Sequence, residues 1–158
     1  MERNPITPEG YKNLLKTLEY CKQVERPQVV KDIEEARAHG DISENSEYED
    51  AKERQSLIEG KLARLESLAA SAEIFDVQKQ NVTERVVFGT TVTLENSDTG
   101  VERIWKIVGE TEANVEQGLI SWKSPIARSV IGRNEGDMVV VPTPGGEQRW
   151  EIVEVQYL

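Results

Sequence analysis

Apolar residues in the first half of the chain recur at helical spacing, in two runs that differ in phase. Tyr11, Leu14, Leu18 and Cys21 form the first run and Val29, Ile33 and Ala36 the second, at the three- and four-residue intervals that bring side chains onto one helix face. Thr7-Pro8-Glu9 supplies a start signal: a hydroxyl N-cap, a proline at the first helical position where its missing N–H costs nothing, and an acid in the positive first turn. Pro27 lies between the runs and removes one backbone hydrogen bond, yet the periodicity continues past it. The pattern predicts one helical arm over residues 8–38, with a kink or register adjustment near Pro27.

A second arm follows. Tyr48, Ala51, Gln55, Ile58, Leu62, Leu65, Ala69 and Ala72 alternate spacings of three and four, which is the seam of a coiled coil. Ser46 followed by Glu49 reads as a capping box at its start, with Ser43 an equally available N-cap. The short connection requires the arms to run antiparallel, and roughly 30 residues per arm at about 1.5 Å rise give a rod on the order of 45 Å long. Residues 39–46 form its tip.

Past Phe75-Asp76-Val77 the period changes. Val86–Leu94 and Glu102–Val108 read as strands around the turn Asn96-Ser97-Asp98-Thr99-Gly100, and Gly118–Trp122 as a short strand. Ser124-Pro125 opens a brief helix that stops at Gly132, and Met138–Val141 pairs with Gln148–Val155 across Pro144-Gly145-Gly146. The expected class is α+β, with an antiparallel helical hairpin over 1–76, a polar linker at 77–84 and a small, mostly antiparallel α+β domain over 85–158.

Composition narrows the functions open to such a chain. Its 158 residues are 37% apolar and 30% charged, with a net charge of −10. The two halves share that charge: residues 1–80 carry 12 Lys/Arg against 17 Asp/Glu and residues 81–158 carry 7 against 12, about −5 each. A broad basic face for nucleic acid is therefore not expected. Cys21 is the one cysteine, which excludes an intramolecular disulfide and a cysteine-based metal site and suits a reducing cytosol. With no apolar leader and no run near the roughly 20 apolar residues that span a bilayer, a cytoplasmic protein without membrane contact is expected.

The chemistry is concentrated at the tip. From Asp41 to Glu53 there are six carboxylates (Asp41, Glu44, Glu47, Glu49, Asp50, Glu53) and one Lys, a density that repels itself unless it meets a cation. Acids at a helix start are favourable without any ligand, by roughly 0.3–1 kcal/mol each. Asp41 and Glu44, bracketing a tight turn, could also converge on one metal ion. Two carboxylates are too few for a tight protein-only Mg²⁺ site, because Mg²⁺ prefers six near-octahedral oxygens. The tip reads as half of a site.

The segment Ala36-Arg37-Ala38-His39-Gly40-Asp41-Ile42-Ser43-Glu44-Asn45-Ser46-Glu47-Tyr48, continuing to Ala51-Lys52, resembles the tip of the Gre transcript cleavage factors of bacterial RNA polymerase. The resemblance runs the full length, through Ile6-Thr7-Pro8-Glu9-Gly10, Glu25-Arg26-Pro27, Phe88-Gly89, Ile107-Val108-Gly109, Ile120-Ser121, Ser124-Pro125-Ile126-Ala127-Arg128, Ile131-Gly132, Thr143-Pro144-Gly145-Gly146-Glu147 and Tyr157-Leu158. It implies a coiled-coil domain that enters the polymerase's secondary channel and an FKBP-like domain that docks on the rim coiled coil of the β′ subunit. It further implies that Asp41 and Glu44 act in trans. They would help hold the polymerase's second Mg²⁺ and position the attacking water, with no cofactor on the free protein. The protein would then be a monomeric elongation factor that stimulates the polymerase's own RNA cleavage in backtracked complexes, touching DNA only through the elongation complex. It would not be an enzyme alone.

By the same resemblance Arg37, Lys52 and Arg54 are candidates to contact the nascent RNA 3′ end. The alternative for them is intrahelical pairing, such as Asp50 with Arg54 at i,i+4. Interleaving with Glu49, Asp50 and Glu53 makes the patch weak, which fits the GreA type of the family. Ser121, Ser124 and Pro125 match the rim-docking region, and equally suit a strand end and helix cap. His39, Glu47 and Tyr48 receive no catalytic role: a single imidazole lacks an identified partner, Glu47 suits a helix start and Tyr48 falls on the seam. Asn45 reads as a turn residue. The alternative function is a secondary-channel regulator or inhibitor without cleavage stimulation, as in anti-Gre paralogues or DksA-like proteins. The missing four-cysteine zinc module argues against the latter and the Asp41/Glu44 pair against the former. A coiled-coil adaptor unrelated to transcription fits the periodicity alone.

Overall fold

The computed structural model describes residues 3–40 and 45–158. In chain order the elements are β1 (Asn4–Ile6), α1 (Pro8–Tyr20), a π-helical turn (Cys21–Glu25), α2 (Arg26–Ala38), α3 (Ser46–Ser71), β2 (Ala72–Ile74), β3 (Thr91–Asn96), β4 (Glu102–Val108), β5 (Leu119–Ser121), α4 (Pro125–Val130), β6 (Met138–Thr143) and β7 (Gly146–Gln156). The class is α+β. Contacts divide the chain into two compact units, Lys12–Ser71 and Met1–Tyr11 with Ala72–Leu158.

The helical unit is an antiparallel hairpin, and its ion pairs give the register. Lys22 meets Glu66 at 3.1 Å, Glu25 meets Lys61 at 2.9 Å, Arg26 meets Glu59 at 2.9 Å and Asp32 meets Arg54 at 3.0 Å, so the partner's number falls as the first rises. Each pair lies at the surface, at least partly exposed, and contributes little by itself. The seam carries the stability. Val29, Ile33, Ala36, Ala51, Leu62 and Leu65 are buried, and burying each large aliphatic side chain stabilises by about 1.5–3 kcal/mol. Tyr48, Gln55, Ile58 and Ala69, the other seam positions within α3, are half-buried.

The phase difference within the first arm is resolved by the π-helical turn. Strict heptad continuation from Leu14, Leu18 and Cys21 would bring positions 28, 32 and 35 to the seam, whereas the buried residues are Val29, Ile33 and Ala36, one place later. A π-turn inserts one residue into a helix, and here the Arg26 N–H reaches back to the Cys21 carbonyl. Pro27, just inside α2, has no N–H to place. The expected adjustment is therefore a widening of the helix that begins six residues before the proline.

The sheet unit contains a five-stranded sheet in the order β5-β4-β3-β7-β6, antiparallel except for the β4/β5 pair. Its core joins Val92, Leu94, Ile107, Val139, Val141, Trp150 and Ile152 with Ala127 and Val130 of α4. The strand expected over Val86–Leu94 begins only at Thr91. Gly89 sits at φ +88°, which breaks the extended run, and Val86 instead bonds the carbonyl of Arg133 through its N–H and accepts from Gly132.

Two further findings differ from the expected division at residue 76. β1 and β2 pair in parallel, Asn4 with Ala72 and Ile6 with Ile74, so both segments flanking the hairpin belong to the sheet unit. The stretch expected as a linker holds a 3₁₀ turn at Val77–Lys79, capped by Asp76, with Val77 buried.

Candidate functional site at the hairpin tip

α2 ends at Ala38, and the His39 N–H bonds the Ala36 carbonyl at 3.2 Å. Gly40 follows at φ +135°, a backbone that side chains rarely adopt, with open space where a Cβ would stand. Backbone conformation, not crowding, requires glycine there. Asp41 and Glu44, the proposed metal-binding acids, lie outside the described residues, as does Ser43.

Asn45 is the N-cap of α3. Its carbonyl accepts from the Glu49 N–H at 3.1 Å and its side-chain oxygen from the Tyr48 N–H at 3.2 Å. Ser46 is thus the first helical residue and not the cap. The amide nitrogen of Asn45 also donates to the Ala36 carbonyl at 2.5 Å, joining the last turn of α2 to the first of α3. Beside this link the Arg37 guanidinium lies over the Tyr48 ring, 5.8 Å from its centroid. Glu47 is exposed in the first turn of α3, where the helix dipole favours an acid.

The three cations expected near RNA are differently engaged. Arg54 bonds Asp32 across the hairpin at 3.0 Å, in place of the intrahelical Asp50 pairing. That contact, followed by the hydrogen bond from Gln28, holds the Asp32 carboxyl below the usual carboxylate range. Lys52 donates to Gln55 at 3.2 Å. Arg37 stacks on Tyr48. Among the described residues no group of three or more His, Cys, Asp or Glu is placed to hold a metal ion.

In the sheet unit, Ser124 caps α4 by accepting from the Ala127 N–H at 3.3 Å, Pro125 takes the first helical position, and Ser121 accepts from the Lys123 N–H at 3.1 Å. These residues make the strand end and helix cap. Next to them opens a groove of about 670 Å³ whose wall includes Phe75, Phe88, Trp122, Ile131, Tyr157 and Arg85. Phe75 and Phe88 meet edge to face at 5.9 Å. The sequence gives scant warning of this groove, because its rings come from positions far apart in the chain.

Residues 4–74 match the family described as transcription elongation factor, N-terminal, and residues 80–157 the family described as transcription elongation factor, GreA/GreB, C-terminal. The chain is 54% identical over 158 residues to the transcription elongation factor GreA of Anaeromyxobacter sp. (strain K), covering 100% of this chain and 95% of that one. It is 49% identical over 157 residues to the GreA of Ruegeria pomeroyi, covering 99% of each. The chain belongs to the GreA/GreB family of transcription elongation factors. Among solved structures, the GreA factor homolog Gfh1 of Thermus thermophilus is 26% identical, covers 98% of this chain and 99% of its own, and superposes with a TM-score of 0.45. The GreA/GreB factor of Nitrosomonas europaea is 24% identical, covers 98% of this chain and 100% of its own, and has a TM-score of 0.42. Membership in the GreA/GreB family follows from the sequence matches. Among the described residues no helix is long and apolar enough to cross a membrane.

Proposed function

We propose that this elongation factor inserts its hairpin tip into the secondary channel of bacterial RNA polymerase and stimulates the polymerase's own hydrolysis of the RNA 3′ end in backtracked complexes. The observation that carries this reading is the position of Asp41 and Glu44 on the connector between two antiparallel helices, far in sequence from every element of the sheet. Their carboxylate oxygens are hard donors of the kind Mg²⁺ takes, and two of them leave most of its coordination to be completed elsewhere. Asp41 and Glu44 would share that ion with the polymerase and hold the attacking water in place. When bound, the second metal supplies charge stabilisation for phosphodiester hydrolysis.

On this reading the protein carries no resident cofactor, is not an enzyme by itself, and works as a monomer in the cytoplasm. Ser121, Ser124 and Pro125 dock on the rim coiled coil of the β′ subunit, with the apolar groove at Trp122 extending that surface. Arg37 and Lys52 lie within reach of the connector along the chain and approach the RNA 3′ end, with Arg54 joining them once released from Asp32. The test adds the protein to backtracked complexes at limiting Mg²⁺. Wild type is expected to shorten the RNA, and Asp41→Ala and Glu44→Ala to lose roughly tenfold or more of that rate. Undiminished cleavage by both variants removes the tip mechanism.

A further inference from the structure

The sheet unit leaves one face of its five-stranded sheet uncovered. Along β3, Val92 and Leu94 enter the core, so strand alternation turns Thr93 and Glu95 the other way. On that outer face Ile104, Met138, Val140 and Val153 are 43–58% exposed, Val153 being the extra residue of β7 where its register with β3 shifts. Acids cross the same face in a row: Glu151 on β7 stands directly opposite Glu95 on β3, which stands opposite Glu102 on β4. Like charges in directly opposed positions destabilise a sheet, and among the described residues none of the three is ion-paired. Lys106 is turned to the Leu158 carbonyl, and Arg149 stands opposite Val140. Beside the row Thr93 is only 8% exposed, opposite Ile104 and Glu154, and its hydroxyl has no hydrogen-bond partner among the described residues.

We propose that this outer face of β3, β4, β6 and β7 docks a basic amphipathic protein segment. Its apolar side chains cover Ile104, Val140 and Val153, and its Lys or Arg side chains meet the row of Glu151, Glu95 and Glu102. Charge selects that occupant. Nucleic acid and anionic lipid are repelled by the row, and a second copy of this chain would bring the same acids against it. The row costs the free sheet some stability, which cations on a partner relieve, as where stability is given up for function. The groove at Trp122 takes no lining residue from β3, β4, β6 or β7, so docking on the outer face is independent of the polymerase contact proposed above.

The probe is a helical peptide of about four turns, with leucines along one face and lysines on the other, titrated into the isotope-labelled full chain and followed by backbone amide shifts. Shifts are expected across β4, β6 and β7. The Kd should rise severalfold in the double variant Glu95→Gln, Glu151→Gln and roughly tenfold in Ile104→Ser. A control peptide with serines in place of the leucines should bind roughly tenfold more weakly, and the free Glu95→Gln protein should melt higher, by up to about 4 °C. Five results overturn the proposal: no binding, shifts confined to the Trp122 groove or the hairpin, equal affinity for the leucine and serine peptides, wild-type affinity in either substituted protein, or a lower melting temperature for Glu95→Gln.

Discussion

Glu112 holds Thr7 by both of its donors. One carboxylate oxygen accepts the Thr7 N–H at 3.1 Å and the other its hydroxyl, across 105 positions of sequence, while the Gly109 N–H adds a third bond at 2.9 Å. Thr7 in turn caps α1 by accepting from the Gly10 N–H at 3.0 Å. A cap read from sequence is thus only part of a network within the sheet unit.

That network makes Gly10 unusual for a helix residue, because a Cβ there would stand 2.1 Å from the Glu112 carboxyl carbon. Gly10→Ala is expected to destabilise the protein by about 1–3 kcal/mol, as overpacking does. In a Glu112→Ala background the same change should stabilise by about 0.5–1 kcal/mol, the ordinary helix preference of alanine. Urea unfolding of the four proteins forms the cycle. Additive effects would show that Glu112 does not fill this space.

The π-helical turn predicts unequal responses to single-residue deletions. Removing the exposed Val24 takes out the inserted residue and leaves both runs facing α3, so stability should change by no more than about 1 kcal/mol. Removing the exposed Lys31 instead rotates part of the seam away from α3, at a cost of about 1.5–3 kcal/mol for each buried aliphatic residue lost. Thermal melts followed by circular dichroism distinguish the two. Equal losses would show that the turn does not absorb the phase shift.

Asp32 ties the hairpin's stability to acid pH. Its folded-state pKa is lowered, first by the Arg54 hydrogen bond, so its stabilisation is complete above the ordinary value of about 3.9 and is lost as pH falls through the depressed one. The melting temperature of Asp32→Asn should therefore decline less between about pH 5 and pH 2 than that of wild type. Superimposable profiles would remove Asp32 from the acid response.

The same pair separates a structural from a functional role for Arg54. Asp32→Asn breaks the ion pair but keeps the cation, whereas Arg54→Gln removes it. If Arg54 meets RNA, cleavage at limiting factor should fall severalfold in Arg54→Gln and hold or rise in Asp32→Asn. Equal effects of the two substitutions would leave Arg54 only its bridging role.

Much of this protein is readable from local pattern. The seam from Tyr48 to Ala69, the start at Thr7-Pro8, the hairpin across Pro144-Gly145-Gly146 and the acids at the connector each depend on residues a few positions apart, where helix and strand periods impose themselves directly, whereas Ala72, expected on the seam, opens β2 instead. The phase break near Pro27 is equally visible in the sequence, but its resolution as a π-turn is set by which faces must meet α3. Asn45 reads as a turn residue until the Ala36 carbonyl arrives beside it. Arg54 has Asp50 as its neighbour in sequence and Asp32 as its partner in space. The Glu112 network, the parallel pairing of β1 with β2 and the ring-lined groove join positions with no common period. Sequence alone determined the helices, the strands β4 to β7 and the placement of carboxylates between two arms. Tertiary structure decided which side chains tie those arms together, because contacts across the chain depend on packing, which no local repeat encodes.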